Sequence, residues 1–357
     1  MFKNLLKDKE KLYYIFAGAI FLIAIFLLVY FLQGRKNSSQ DIVESQVESP
    51  TSTPSLIDCP YKNVLTGECV ASEKEVSVPL VGVMIENFVD ARPQGGIAQA
   101  SVVYEAPAEG NITRFLALFE QNSEVKKVGP VRSARPYYLD WISEYPGAMY
   151  MHVGGSPEAL EKLDAYKIFD VNEFYRGIYF WRDSVQRAPH NVYTSSDLWG
   201  SVYEKFADKN VNVGFQSWNF SHTTTTCAQN CVSQIEIPFL LPSYNVVWKY
   251  NTDTLKYDRF HTRVAHLDSD GNPVRANTVV VQHVTDKILD DVGRRALGTI
   301  GSGKVEVYVL GNKIEGTWKK DSRTARTKFL DHEGKEIGFA AGKIWIEVVP
   351  VNIEVKN

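Results

Sequence analysis

An uncharged apolar segment near the amino terminus is the strongest constraint on how this chain folds. Residues 12–32 read LYYIFAGAIFLIAIFLLVYFL and contain no charged side chain. As an α-helix this segment is about 30 Å long, which matches the hydrocarbon core of a bilayer. Because the helix is apolar on every face, burial in a soluble domain is the weaker alternative. We therefore predict a transmembrane helix over residues 12–32.

The charges that flank this segment predict its orientation. Lysines precede it within residues 1–11, whereas Arg35 and Lys36 follow it. The positive-inside rule then predicts a cytoplasmic tail over residues 1–11 and a main body outside the cell membrane. Neither a small-residue cleavage site nor a cysteine lies close to the end of the apolar run, so we expect an uncleaved anchor rather than lipoprotein processing.

The next segment, residues 33–57, is polar and lacks an apolar period. Such a composition is typical of a flexible stalk, so the folded part is expected to occupy residues 58–357.

The four cysteines fit an extracytoplasmic location. Cys59 and Cys69 are close in sequence, as are Cys227 and Cys231. Four cysteines allow three connectivities, of which two local disulfides are the simplest. An oxidising compartment permits such bonds. Zinc is the rival interpretation, although neither spacing is the C-x2-C that zinc sites commonly use.

Two regions with different residue patterns follow the predicted stalk. In residues 58–234, apolar runs such as 78–85, 101–105, 112–120 and 148–153 alternate with helices that we expect to start at Pro136 and Pro157. This alternation predicts a mixed α/β sheet domain, in which residues 125–131 form a hairpin with residues 112–120. Residues 235–357 contain short β-rich runs separated by Gly, Asn or Asp, which predict a mostly-β domain.

Closely spaced arginines form the first candidate site. Arg132 and Arg135 lie three apart in VGPVRSARP, and the cluster also includes Arg92, Arg114, Arg176, Arg182 and Arg187. A guanidinium fork binds phosphate through two parallel hydrogen bonds, so the cluster predicts an anion-binding cleft at the strand ends. Alternatively, the arginines pair with Glu86, Glu105, Glu109 and Asp140. The predicted ligand-binding arginines are Arg92, Arg114, Arg132, Arg135, Arg182 and Arg187.

The segment HVGGSPEAL is the second candidate. It places His152, Gly154, Gly155 and Ser156 between a predicted strand and a predicted helix start. Free N–H groups and the helix dipole favour an anion at such a step. The alternative is an ordinary tight turn between a strand and a helix.

The segment FWRDSVQRAPHNVYTS is the third candidate. It contains the two predicted catalytic residues, Asp183 and His190, together with two arginines, and His190 is a candidate general base because its ordinary pKa is near neutral. A purely structural histidine is the alternative. A further segment, HLDSDGNPV, carries Asp268 and Asp270 but lacks the closing acid of a calcium loop, so a β-turn is expected there.

The net charge of −3 argues against a generic nucleic-acid binder, which normally carries a basic excess.

Long motifs in the chain resemble the YerB family of bacterial extracytoplasmic proteins. They include PLVGVMIEN, VGPVRSARPYYLDW, HVGGSPEAL, FWRDSVQRAPHNVYTS and GSGKVEVYVLGNKIEGTWKK. The resemblance covers nearly everything from about residue 62 onward and implies an N-terminal and a C-terminal domain of unknown function. Family members are typically lipoproteins, whereas this chain departs by carrying an apolar segment suited to a transmembrane anchor.

The order of elements also resembles the LytR-CpsA-Psr family, which transfers glycopolymers from polyprenyl-pyrophosphate carriers to the cell wall. By position, that resemblance implies that Arg92, Arg132, Arg182 and Arg187 face the pyrophosphate and that magnesium is a candidate cofactor. The chain departs at residues 99–102 and 131–133, where both expected metal-binding acids are absent. Glu86, Glu105, Glu109 or Asp183 would have to replace them.

These features predict a membrane-anchored envelope protein that binds a phosphorylated lipid-linked or cell-wall glycan and is a candidate for transferring it. Whether it is an enzyme stays open. The main alternative is a non-catalytic surface module that binds a protein partner or peptidoglycan, and a third hypothesis is a hydrolase that uses His190.

Overall fold

The structure is a computed structural model that describes residues 18, 21–28, 59–206, 215–220, 227 and 231–357. The chain divides into two compact units, Met1–Ile57 and Asp58–Asn357. Among the described residues, no helix is both long and apolar enough to cross a membrane. Most of the predicted membrane segment 12–32, together with the predicted tail 1–11 and stalk 33–57, lies outside the described residues.

The unit Asp58–Asn357 contains the following helices and strands. The helices are α1 (Pro136–Ile142), α2 (Pro157–Ala165), α3 (Glu173–Arg176) and α4 (Ser196–Lys205). The first strands are β1 (Leu80–Glu86), β2 (Val102–Pro107), β3 (Thr113–Glu120), β4 (Met149–His152), β5 (Phe169–Asn172), β6 (Trp181–Arg182) and β7 (Val192–Tyr193). The later strands are β8 (Gln234–Ile237), β9 (Val246–Asn251), β10 (Lys256–His261), β11 (Val264–Ala265), β12 (Arg275–Ala276), β13 (Thr278–Val284), β14 (Asp286–Ile288), β15 (Arg295–Leu297), β16 (Gly301–Val309), β17 (Asn312–Lys320), β18 (Lys328–Leu330) and β19 (Ile344–Pro350).

One ten-stranded sheet organises this unit, in the order β18-β17-β16-β13-β19-β2-β3-β1-β4-β5. Strands β1, β4 and β5 are mutually parallel, as are β13, β19 and β2, and the antiparallel β3 links the two groups. These six parallel strands therefore end at one edge of the sheet, called the carboxyl edge below. Strands β1, β2, β13 and β19 are buried along their whole length, and the buried positions include the polar residues Glu105, Gln282 and Glu347.

The fold is mixed α/β, with a mostly-β part after residue 234, as the sequence predicts. A second sheet has the order β11-β10-β9-β8, with β12 paired to β10. Strands from the two sequence regions are continuous in the ten-stranded sheet, because β19 pairs directly with β2.

The predicted hairpin between residues 112–120 and 125–131 is wrong. Strand β3 pairs with β1 and β2 instead. Residues 125–131 make isolated bridges to three other segments, with Val128 opposite Thr194 and Val131 opposite Ile85. Pro130 has no N–H to give to a ladder, and Gly129 has a φ of 144°, so this segment cannot continue as a regular strand.

Both predicted local disulfides are confirmed. Cys59 is bonded to Cys69 and Cys227 to Cys231, so the zinc interpretation of these cysteines is wrong. Each bond closes a short loop within the folded unit.

A buried ionic network joins the end of β2 to the second sheet. The Arg259 guanidinium lies 2.5 Å from a carboxylate oxygen of Glu105, and both side chains are 0% exposed. The same guanidinium lies 2.7 Å from Nδ1 of His266, and Trp248 donates a hydrogen bond to Glu347 beside it. Burial raises the pKa of Glu347 well above its usual range, and the charge of Glu105 adds to the effect. Glu347 is therefore protonated, and the charge of Arg259 is balanced by the ionised carboxylate of Glu105.

Candidate functional site

Glu86 is the centre of the candidate site at the carboxyl edge. It is the last residue of β1, and its carboxylate is almost completely buried. One carboxylate oxygen lies 3.0 Å from Nε of Arg132 and the other lies 2.8 Å from Nδ1 of His190. Arg132 and His190 thus both bind one buried carboxylate. The side chains of Glu86, Arg132 and His190 are called the Glu86 cluster below.

The backbone around residues 129–132 explains why Arg132 reaches Glu86. Val131 bridges Ile85, the Arg132 amide donates to the Met84 carbonyl, and the Glu86 amide donates to the Pro130 carbonyl. These bonds fix the Arg132 backbone beside the end of β1, so the side chain has a short path to the carboxylate.

The ring of His190 is held from two sides. Phe88 stacks on it with ring centroids 5.2 Å apart and planes 5° apart. Because a carboxylate only accepts hydrogen bonds, Nδ1 of His190 carries the proton and Nε2 lies on the far side of the ring. Nε2 has no hydrogen-bond partner among the described residues. A carboxylate-backed imidazole of this kind can accept a proton or donate one to a bound anion.

Arg187 adds a second cation to this region. Its carbonyl accepts a hydrogen bond from the His190 amide at 2.9 Å, so it belongs to the same turn. Its side chain is exposed and has no partner within the residues that the structure describes. Arg132 also donates from Nη1 to the Pro189 carbonyl at 3.5 Å, so Nη2 is its nitrogen without a partner among the described residues. Arg132 and Arg187 are therefore the two predicted arginines that have a nitrogen available to a ligand near His190.

Arg114 and Arg135 lie deeper and are committed to Glu109. Arg135 binds the Glu109 carboxylate through two nitrogens, and Arg114 lies 4.0 Å from it while donating to the Ser133 carbonyl. Burial alone would raise the pKa of Glu109, but the hydrogen bond and charge of Arg135 lower it below its usual range. These residues support the loop that carries Arg132.

Arg92 and Arg182 also have protein partners. Arg92 donates to the Asn87 side chain at 3.0 Å and to the Ser243 carbonyl at 2.9 Å, and burial lowers its pKa to about 10. Arg182 pairs with Glu173 at 3.0 Å, although its own side chain is half exposed. The structure therefore does not gather all six predicted arginines around one ligand position.

The Gly-Gly step uses its polar groups internally. His152 is fully buried, with Nδ1 2.7 Å from the Gly154 carbonyl and Nε2 3.4 Å from Asp170. The Gly154 amide donates to the Asn172 side chain, and the Gly154 carbonyl accepts from the Ala134 amide. Ser156 caps α2 by accepting from the Ala159 amide, and Gly155 bridges Ala134. This turn positions the segment that follows Arg132.

Gly154 is expected to tolerate substitution poorly. Its φ is +58°, and an added Cβ would lie 2.7 Å from Cε2 of Phe174. We expect Gly154→Ala to lower the free energy of unfolding by about 1–2 kcal/mol from backbone strain alone, plus the cost of moving Phe174. Gly110→Ala is the matched control, because its φ is +67° but no atom lies within 4 Å of the added Cβ. Equal losses in denaturant titrations of the two variants would contradict this packing role.

Asp183 is paired rather than poised as a base. One carboxylate oxygen lies 2.5 Å from Nζ of Lys127, and the other accepts from the Val185 amide. The Lys127 hydrogen bond lowers the pKa of Asp183. Asp268 accepts hydrogen bonds from the amides of Asp270 and Asn272, which confirms the predicted turn. Within the described residues, no group of three or more His, Cys, Asp or Glu side chains is arranged to hold a metal ion.

The sequence predicted Arg132 and His190 as site residues, but it did not predict that both bind Glu86. Glu86 was considered only as a general partner for arginines or a replacement metal ligand, and the stacking of Phe88 was not anticipated. Their position in the sequence could have indicated them. Glu86 and Phe88 follow the apolar run 78–85, at the edge where the parallel strands end.

Comparison with known proteins defines the family. Residues 65–212 match the family described as "Protein of unknown function (DUF3048) N-terminal domain", and residues 235–346 match its C-terminal domain. The chain is 31% identical over 314 residues to the Bacillus subtilis (strain 168) protein named "Putative lipoprotein YerB", covering 85% of this chain and 90% of that protein. A crystal structure of the Bacillus subtilis YerB protein matches with a TM-score of 0.73 and 29% identity, covering 83% of this chain and 99% of that chain.

The fold is thus that of a two-part α/β protein with a shared sheet. The chain belongs to the YerB family.

Proposed function

We propose that this protein acts at the outer face of the cell membrane, where the Glu86 cluster binds a phosphorylated lipid-linked or cell-wall glycan. The location is supported by the name of the YerB relative, which describes a lipoprotein, and by the two disulfides. The observation that carries the binding proposal is the sharing of one buried carboxylate by Arg132 and His190. This arrangement orients their remaining nitrogens.

The charges around the cluster favour an anionic ligand. The Glu86 carboxylate offsets the charge of Arg132, so the charge of Arg187 is in excess when His190 is neutral. When His190 is protonated, the charges of Arg187 and His190 are both in excess. The nearby pairs Lys127–Asp183 and Arg182–Glu173 are neutral as pairs. A phosphate or pyrophosphate group is the envelope component that best matches such a set, because guanidinium N–H groups, and Nε2–H of His190 when the ring is protonated, form charge-assisted hydrogen bonds to its oxygens.

Transfer of the bound glycan is a further part of this proposal: an acceptor hydroxyl of the cell wall would attack the phosphorus that carries the glycan, and the bond from that phosphorus to the departing polyprenyl phosphate would break. His190 is the residue suited to move a proton, because Glu86 holds its ring and Nε2 lies on the side away from that carboxylate. Magnesium would supply charge neutralisation in such a transfer, but the Glu86 cluster does not fit it, because both Glu86 oxygens bind Arg132 and His190 and no described group of three acidic, His or Cys side chains is arranged to hold a metal ion. The resemblance to LytR-CpsA-Psr enzymes motivates this step and stays a prediction.

Calorimetric titration of residues 58–357 with a short-chain polyprenyl pyrophosphate tests the proposal. We expect saturable binding that weakens several-fold when salt rises from about 0.1 M to 1 M, since the Debye length falls from about 10 Å to 3 Å. The matching polyprenol without phosphate should bind much more weakly, and inorganic pyrophosphate should compete. Equal affinity for both lipids would contradict a phosphate site. Binding that needs magnesium would favour the transfer step.

A further inference from the structure

Exposed apolar side chains lie in the segments that follow β1, β4 and β5. They are Phe88, Leu160 in α2, Phe174 and Tyr175 in α3, and Ile178, and they are called the apolar rim below. Phe174, Tyr175 and Ile178 are 67%, 83% and 73% exposed. Because β1, β4 and β5 are neighbours in the sheet, these side chains come from three adjacent segments after the carboxyl ends of the strands.

Specific contacts join these segments into one surface. The Phe174 ring covers Gly154, which follows β4, and Glu173 pairs with Arg182. Phe88 stacks on His190 of the Glu86 cluster. The rim is therefore held at fixed positions around the site rather than formed by independent loop tips.

The same edge is apolar further along the sheet. The β14–β15 hairpin follows the carboxyl end of β13 and exposes Ile288, Leu289 and Val292. A soluble protein gains by burying such side chains, and clustered exposed ones mark surfaces that meet a membrane or a partner. Apolar side chains are thus exposed after β13 as well as after β1, β4 and β5. This pattern indicates that the carboxyl edge is a single contact surface.

Cations adjoin the rim. Arg187 is exposed and has no partner among the described residues, whereas Arg182 is paired with Glu173, and Arg176 donates to the Asp170 carbonyl and packs on Phe206. Aromatic and aliphatic tips next to arginines are the combination that binds the boundary between headgroups and acyl chains of an anionic leaflet.

We infer that the apolar rim docks on the outer leaflet of the membrane and directs the Glu86 cluster toward the lipid headgroups. The occupant is a lipid surface because the uncharged segment 12–32 and the lipoprotein relative both place this unit beside a bilayer. The polar residues 33–57 separate segment 12–32 from this unit in the sequence. The inference does not depend on which ligand the Glu86 cluster binds.

Tryptophan quenching in the full-length protein tests this docking. Six of the seven native tryptophans are buried, so one added at an exposed tip gives a separable signal. The full chain is reconstituted into phosphatidylcholine vesicles with and without phosphatidylglycerol, using brominated or ordinary acyl chains. The test variant is Ile178→Trp. The matched control is Tyr61→Trp, which is closer to segment 12–32 in sequence but lies near Asn63, whose side chain bonds Glu120 at the opposite edge.

The added emission of the Ile178→Trp variant should fall at least about twofold with brominated lipid, because interfacial side chains lie roughly 5–10 Å deep. The Tyr61→Trp emission should stay unchanged. Equal quenching of both, or of neither, would overturn the inference. A blue-shifted but unquenched signal from the Ile178→Trp variant would assign the rim to a protein partner or a second copy instead. Adding Arg132→Ala should leave quenching unchanged, which separates docking from ligand binding.

Discussion

Replacing Arg132 with alanine is expected to weaken binding of polyprenyl pyrophosphate by about 10- to 100-fold. A charge-assisted hydrogen bond contributes about 1.5–3 kcal/mol, and tenfold in affinity corresponds to about 1.4 kcal/mol. Arg132 is the guanidinium that lies beside His190 on the shared Glu86 carboxylate, so its loss removes both a donor and the charge that balances Glu86. Calorimetry of wild type and variant measures the change directly.

Arg135→Ala is the matched control for this variant. Arg135 is three residues away, but two of its nitrogens are bound to Glu109. We expect its removal to change affinity less than Arg132→Ala, although it should reduce stability because Glu109 loses its main partner. If both variants keep native circular dichroism and the Arg135 variant loses more affinity, the ligand position assigned to the Glu86 cluster is wrong.

Arg259→Met is expected to cost about 3–5 kcal/mol of folding free energy. Removing one partner of a buried ion pair leaves the other charge uncompensated. Glu105 would keep hydrogen bonds from Asn87 and Thr113 but lose its direct ion pair with Arg259. Denaturant titration measures the loss, and ligand affinity need not change in proportion.

Two further variants identify the cause of that loss. Arg275→Met removes an arginine that pairs with Asp258 at 2.5 Å but is 39% exposed, so a loss of less than about 1 kcal/mol is expected. Adding Glu105→Gln to Arg259→Met should recover part of the stability, because the unpaired charge is then absent. A similar loss for both arginine variants, or no recovery, would show that packing rather than charge dominates.

The sequence predicted much of the fold from local pattern. A continuous apolar run located β1, as expected of a strand covered on both faces, and short β-rich runs located β13 and β19. Ser156 and Pro157 located the start of α2 through a cap and a fixed φ. The pairing of β19 with β2 joins residues far apart in sequence, and no local signal carries that information.

The candidate site was predicted less completely for a related reason. Arginine spacing shows that charges are close along the chain, but it does not show which carboxylate each will meet. Arg135 and Arg132 have similar sequence surroundings, yet one is bound to Glu109 and the other shares Glu86 with His190. The difference arises from the isolated bridge between Val131 and Ile85, which only the tertiary fold creates.

The position of a bound phosphate is the most direct test of the central claim. Crystals of residues 58–357 soaked with pyrophosphate would locate it by difference density. The account predicts phosphate oxygens about 3 Å from the Arg132 guanidinium and from Nε2 of His190, a normal hydrogen-bond distance. Pyrophosphate bound elsewhere, with the Glu86 cluster unchanged at saturating concentration, would contradict it.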